Sequence, residues 1–175
     1  MNEYKIERLY EDTALTDFSS SNDDLNDFLI SGAKLYEKGL LATTYLVYSG
    51  ADIAGYFSLM NDSIRMDIED KSAWNKLNRL IHNSKRRKSY PAVKIGRLAV
   101  ASKYEHSGIG RHILNSIISI YSYRVHYAGC RFITVDALAS ATGFYEKSGF
   151  KYLSSKDARA KTRFMYLDIL PYIED

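Results

Sequence analysis

The sequence contains one cysteine, Cys130, in 175 residues. No internal disulfide is open to it, which fits a reducing compartment. With no His-paired motif around it, Cys130 reads as a small packed residue and not as a nucleophile. Long apolar runs are also missing; none approaches the roughly 20 residues that a membrane-spanning helix needs. The stretch MNEYKIERLY at the start lacks the apolar core of a signal peptide. A cytoplasmic protein with no membrane association is the expectation. Repeats, low-complexity tracts and Gly/Ser linkers are absent, so residues 1–175 are expected to form a single domain. The histidines, His82, His106, His112 and His126, show no metal-ligand spacing with carboxylates or the cysteine, and no metal is expected.

Negative charge is absent from one strongly basic stretch. Residues 71–104 carry 10 basic side chains and no acidic one, whereas residues 1–70 carry 5 basic and 14 acidic. The overall net charge of +3 conceals this division. The basic block contains SKRRKSY, Ser84–Tyr90. Such a run is either a solvated loop or a receiver for a polyanion such as nucleotide phosphate or RNA.

Periodicity supplies the elements. Tyr4–Tyr10 alternates weakly and reads as an edge strand. Ser21 with Asp24 resembles a capping box, and Leu25, Phe28, Leu29, Ala33 and Tyr36 predict a helix from about Asn22 to Lys38. LATTYLVYS and IAGYFSLMND, joined through SGAD, read as an antiparallel hairpin. Trp74, Leu77, Leu80 and Ile81 predict a short amphipathic helix over Asp70–His82. Pro91 is expected to end the basic loop, and Ala92–Ala101 to form a strand. Ile113, Leu114, Ile117, Ile118, Tyr121 and Val125 predict a helix over Gly110–Tyr127, stopped by Gly129. CRFITVDA is the next strand, SATGFYEKSGF a short helix closed by Gly149, and FKYL and RFMYLDI complete the sheet. The β-α-β unit over Ala92–Ala137 requires two parallel strands and a right-handed crossover. The fold class is a mixed-sheet α/β domain, mostly antiparallel around that central β-α-β unit, with helices on both faces.

SKYEHSGIGRHIL, Ser102–Leu114, turns the strand into the helix through Gly108 and Gly110. Unpaired backbone N–H groups and the helix dipole make such a junction receptive to anions. No Gly-Lys-Ser/Thr follows, which excludes a P-loop, and Ile113 breaks G-x-G-x-x-G. The glycine pair alone fits a structural turn as well as a ligand loop.

GRLAVASKYEHSGIGRHIL followed by VDALASATGFYEKSGF resembles the GNAT acyltransferase superfamily. There, an apolar strand, a Gln/Arg-x-x-Gly-x-Gly/Ala loop and a helix precede a strand and an Ala-x-x-Phe-Tyr-x-x-x-Gly-Phe helix. Ala141, Phe144, Tyr145, Gly149 and Phe150 match position for position. The resemblance implies a GNAT domain that moves an acetyl group from acetyl-CoA to a primary amine by direct attack on the thioester. It places the coenzyme A pyrophosphate on Glu105, His106, Ser107, Gly108, Ile109 and Gly110, with Arg111 entering the helix. Leu98, Ala99 and Val100 would pair with the pantetheine arm. Glu105 stands where the family has Gln or Arg, so weakened binding is expected, offset by Lys103 and Arg111. Tyr145 matches the general acid, a phenol protonated at neutral pH. Asp136 and Glu105 are candidates for the base, beside a water relay.

FSSSNDDLNDFLISGA, TTYLVYSGADIAGYFSLMNDSI and YPAVKIGRLAV resemble one branch of that superfamily, the toxins that acetylate aminoacyl-tRNA. Membership implies a ribbon-helix-helix antitoxin, with a homodimer as a common family state. Lys85, Arg86, Arg87, Lys88 and Arg97 would then meet the tRNA phosphates. The general N-acetyltransferase reading, open to a small amine or a protein lysine as acceptor, comes first; the tRNA-directed toxin is second, as a subset of it, and a non-catalytic protein that binds acyl-CoA or RNA is the alternative of another class.

Overall fold

The computed structural model describes residues 4–65, 67, 70–82, 87–123 and 128–173. The chain begins with β1 (Tyr4–Arg8), α1 (Asp23–Asp27), a π-helical turn (Phe28–Gly32), α2 (Ala33–Lys38), β2 (Thr43–Ser49) and β3 (Asp52–Arg65). α3 (Lys71–Asn78), β4 (Ser89–Val100), α4 (Ile109–Ser122) and β5 (Phe132–Leu138) follow. α5 (Thr142–Lys147), β6 (Lys151–Tyr152) and β7 (Thr162–Asp168) end it. Among the described residues the strands form a seven-stranded sheet of order β1-β2-β3-β4-β5-β7-β6, mostly antiparallel with one parallel pair. β4 and β5 are neighbours joined through α4, as the expected β-α-β unit requires.

Two compact units divide the chain, Met1–Met60 with Ile95–Ile117, and Asn61–Lys94 with Ile118–Asp175. In the first, β2 pairs with β1 and β3, and Gly50 supplies the positive φ of the hairpin turn. Gly55 and Tyr56 are consecutive in β3, so they point to opposite faces. A β-carbon on Gly55 would stand 2.9 Å from the Ala99 carbonyl and 3.1 Å from Ile113 Cδ1, so α4 lies on that face. On the other face Tyr56 packs with Leu29 and Ala33, and its hydroxyl donates to the Leu25 carbonyl at 2.7 Å. Helices therefore cover both faces of this part of the sheet.

The continuous helix predicted from Asn22 to Lys38 is instead interrupted. Asn22, not Ser21, caps it, accepting from the amides of Asp24 and Leu25 at 3.0 and 3.4 Å. Ser20 is bound to Asn26. The Ala33 amide then bonds five residues back to the Phe28 carbonyl, which inserts one residue into the turn. Gly32 permits this; a β-carbon there would lie 3.0 Å from the Phe28 ring. Phe28 is left against Tyr36 and Tyr56, with ring centroids 5.3 and 6.3 Å away.

In the second unit, β5 runs antiparallel to β7 from Phe132 opposite Asp168 to Leu138 opposite Thr162, and β6 adds two residues. α3 is shorter than its apolar spacing predicts. Asp70 caps it by accepting from the Ala73 amide at 3.0 Å. Its face is buried through Leu77 and through Trp74, which stacks on Tyr90 at 5.1 Å. The Tyr90 hydroxyl donates to Asn78 Oδ1 at 2.6 Å, fastening the end of α3 to β4. Pro91 does not end a loop. It lies within β4, where its carbonyl accepts from the Arg131 amide at 3.1 Å. α4 stops at Ser122, short of the predicted end; residues 124–127 lie outside the described residues. Positive φ among the described glycines occurs at Gly50, Gly108 and Gly149, so Gly129 is not the left-handed stop and Gly149 is. No described helix is long and apolar enough to cross a membrane.

Gly55→Ala forces a methyl group against a backbone carbonyl that cannot rotate away. The expected loss is about 1–3 kcal/mol, measured as a lower urea midpoint with an unchanged slope. An unaltered midpoint would show that β3 and α4 can separate without cost.

Candidate active site

β4 delivers the chain to the glycine pair in fixed steps. The Ala101 amide donates to Ala54 and the Ser102 amide to Ser19, at 2.9 and 2.8 Å. A 3₁₀ turn over Ser102–Tyr104 follows. Lys103 Nζ and the Tyr104 hydroxyl both donate to Asp52 Oδ2, at 2.6 and 3.0 Å, which ties the turn to the start of β3. These two donors hold the Asp52 carboxyl below its ordinary range. Lys103 is thereby paired with Asp52.

The chain then passes through two left-handed residues, His106 at φ +61° and Gly108 at φ +91°. A β-carbon on Gly108 would meet nothing within 4 Å. The backbone angle alone therefore calls for glycine, and the space beside it is open to a ligand. The Ser107 hydroxyl donates back to the Tyr104 carbonyl and leaves the helix uncapped. The Gly108 carbonyl accepts the first helical bond, from His112 at 3.0 Å. Among the described residues, the amides of Gly108, Ile109, Gly110 and Arg111 have no backbone or side-chain acceptor. Four converging N–H groups at the positive end of a 14-residue helix suit a phosphate. Arg111 and Glu105 are exposed, and neither has an ion-pair partner among the described residues. Ile109 and Ile113, fully buried, hold the helix start against Gly55. Of the expected pantetheine strand, Ala99 is buried while Leu98 and Val100 are half-buried. Arg97, on the same strand, stacks on Phe28 at 5.0 Å.

The second unit carries the other expected residues. Tyr145 lies in α5 with its ring buried between Phe144 and Phe150, centroids 5.1 and 5.3 Å away. Burial pushes its phenol far above the ordinary value. Its hydroxyl has no hydrogen-bond partner among the described residues, and the residue is only 6% exposed. The raised phenol holds its proton firmly. Asp136 is ion-paired with Lys94 on the neighbouring strand. Arg87 and Lys88 are exposed, and Lys85 and Arg86 lie outside the described residues. Cys130 is half-buried, and its burial raises the thiol, in line with a packing role. Among the described residues no cluster of three or more His, Cys, Asp or Glu side chains is placed to hold a metal ion.

Sequence reading missed the anchor Asp52 and the ring beneath Arg97, Phe28. Neither carries a local signal, because each partner lies 50 or more residues away in the chain.

The family model described as an acetyltransferase (GNAT) domain matches residues 79–169, just over half of the chain. No curated protein matches. Among solved structures, a bacterial toxin is similar at TM-score 0.81 and 16% identity, over 98% of this chain and 93% of that one. AtaT complexed with acetyl-methionyl-tRNAfMet is similar at TM-score 0.78 and 19% identity, over 97% of each chain. AtaTR bound with acetyl-CoA is similar at TM-score 0.76 and 21% identity, over 98% of this chain and 96% of that one. The matched region contains β4, the four free amides of the glycine loop and the Tyr145 helix. The chain belongs to the GNAT family of acetyl-CoA-dependent acetyltransferases.

Proposed function

We propose that the whole chain acts as one acyltransferase domain that acetylates the α-amino group of aminoacyl-tRNA, as the toxin of a toxin–antitoxin pair. The observation that carries the acceptor is charge. The second unit holds 17 basic and 10 acidic residues, against 7 and 11 in the first. That excess suits a polyanionic acceptor and is not needed for a small amine. The solved relatives with acetyl-methionyl-tRNAfMet and with the antitoxin AtaR support the same reading.

Acetyl-CoA, when bound, supplies the acetyl thioester. The amides of Gly108 to Arg111 hold its pyrophosphate, and the Arg111 guanidinium adds charge beside them. Leu98 to Val100 align the pantetheine arm along the strand. The acceptor amine must attack in its neutral form, and with Asp136 engaged by Lys94 a water relay takes its proton. Tyr145 Oη delivers a proton to the departing sulfur. Burial keeps the phenol protonated through neutral and mildly alkaline pH, so the proton is present to be donated.

Three outcomes follow. Tyr145→Phe lowers kcat by about a hundredfold or more and leaves calorimetric acetyl-CoA affinity unchanged; equal turnover removes the general-acid role. Glu105→Gln tightens acetyl-CoA about twofold to fivefold, by removing an exposed carboxylate from the phosphate loop. Incubated with charged tRNA and acetyl-CoA, the protein yields N-acetyl-aminoacyl-tRNA by mass spectrometry, and replacing Arg87 and Lys88 with alanine flattens the salt dependence of that reaction. Acetylation of free amines alone would overturn the tRNA reading.

A further inference from the structure

Two contacts fix the Arg97 guanidinium. It stands 5.0 Å over the Phe28 ring, and Nη1 donates to the Gly96 carbonyl at 2.9 Å. Phe28 is itself placed by the π-helical turn, and stacks on Tyr56. These contacts leave donors unused. Nε is shielded from solvent without a hydrogen-bond partner among the described residues, and Nη2 donates to no group among them. The Asp24 carboxylate stands 3.9 Å from Nε, inside ion-pair range but too far for a hydrogen bond. The Asp24 side chain is 80% exposed and free to swing away, whereas that of Arg97 is 37% exposed. The guanidinium is thus pre-ordered, incompletely satisfied and covered by a carboxylate with no other partner among the described residues.

We infer that Asp24 is a placeholder for a phosphate oxygen of the acceptor RNA. It occupies the approach to Arg97 that a phosphodiester takes over when the acceptor binds, with Phe28 as the positioning residue that keeps the guanidinium turned towards it. This rests on the aminoacyl-tRNA reading above. General attraction does not bring a polyanion to the first unit, whose charge is negative overall. α1 itself presents Asp23, Asp24 and Asp27. A phosphate settles there only where an ordered cation exchanges one anion for another, so the exchange selects a correctly seated acceptor. The planar guanidinium fork matches a phosphate better than an ammonium does.

Coenzyme A also carries phosphates, so the test separates the two sources. Asp24→Asn, Arg97→Gln, Arg97→Lys and Phe28→Leu are compared with the unaltered protein for aminoacyl-tRNA KM, its salt dependence, and acetyl-CoA affinity. Asp24→Asn lowers the acceptor KM about twofold to fivefold. Arg97→Gln raises it about tenfold and reduces the log–log salt slope by about 0.7–0.9. Arg97→Lys restores the slope but not the full affinity, and Phe28→Leu costs about threefold with the slope retained. Acetyl-CoA affinity stays within about twofold throughout, which also shows that the variants fold. An Asp24→Asn KM that is unchanged or higher overturns the placeholder. So does an effect on acetyl-CoA in place of the acceptor, which would make the phosphate the coenzyme's. If the unaltered protein neither binds nor acetylates aminoacyl-tRNA, the acceptor reading falls and this inference with it. If it does both, and Arg97→Gln behaves identically, this inference alone falls.

Discussion

A missing β-carbon at Gly55 lets three elements of the first unit meet. The Ala99 carbonyl from β4 and the Ile109 and Ile113 side chains from α4 all fall within 3.5 Å of the position that carbon would fill. Sheet and helix approach at that point more closely than any side chain allows, and buried isoleucines complete the contact. The direction of the first turn of α4 is set there. Upstream, the Asp52 bridge to Lys103 and Tyr104 fixes the entry to the same turn. Between the two anchors the backbone has few alternatives, and it adopts left-handed angles at His106 and Gly108. The four free amides are a result of this packing, not of a ligand.

Electrostatics divide the work between the units. The first holds 7 basic and 11 acidic residues, while the second holds the surplus of lysine and arginine. On the aminoacyl-tRNA reading proposed above, long-range attraction and short-range placement would fall to different residues. At Tyr145 the phenol is raised by burial of the ring and not by any charged neighbour.

Elements whose periods are local were readable in the sequence. β5 carries a run of four buried residues, and α4 buries Ile109, Ile113, Leu114, Ile117 and Ile118 on one face. Tyr145 stands out in the sequence because the motif that carries it, Ala141 to Phe150, is contiguous. The π-helical turn does not, because it depends on the room that Gly32 leaves for the Phe28 ring. Pro91 looked like a breaker because composition does not tell which backbone group a strand needs, and here the carbonyl is the one used. The pairing of Lys103 with Asp52 has no signal in the sequence for a similar reason. Asp52 is half a hundred residues away and becomes its neighbour only when the hairpin closes against β4.

The two outermost strands carry a further consequence. β6 is two residues long, and β1 presents Lys5, Glu7 and Arg8 along five. One border of the sheet is too short to template a neighbouring strand, and the other is guarded by charge of both signs. Sheet borders of this kind guard against edge-to-edge growth into a fibril.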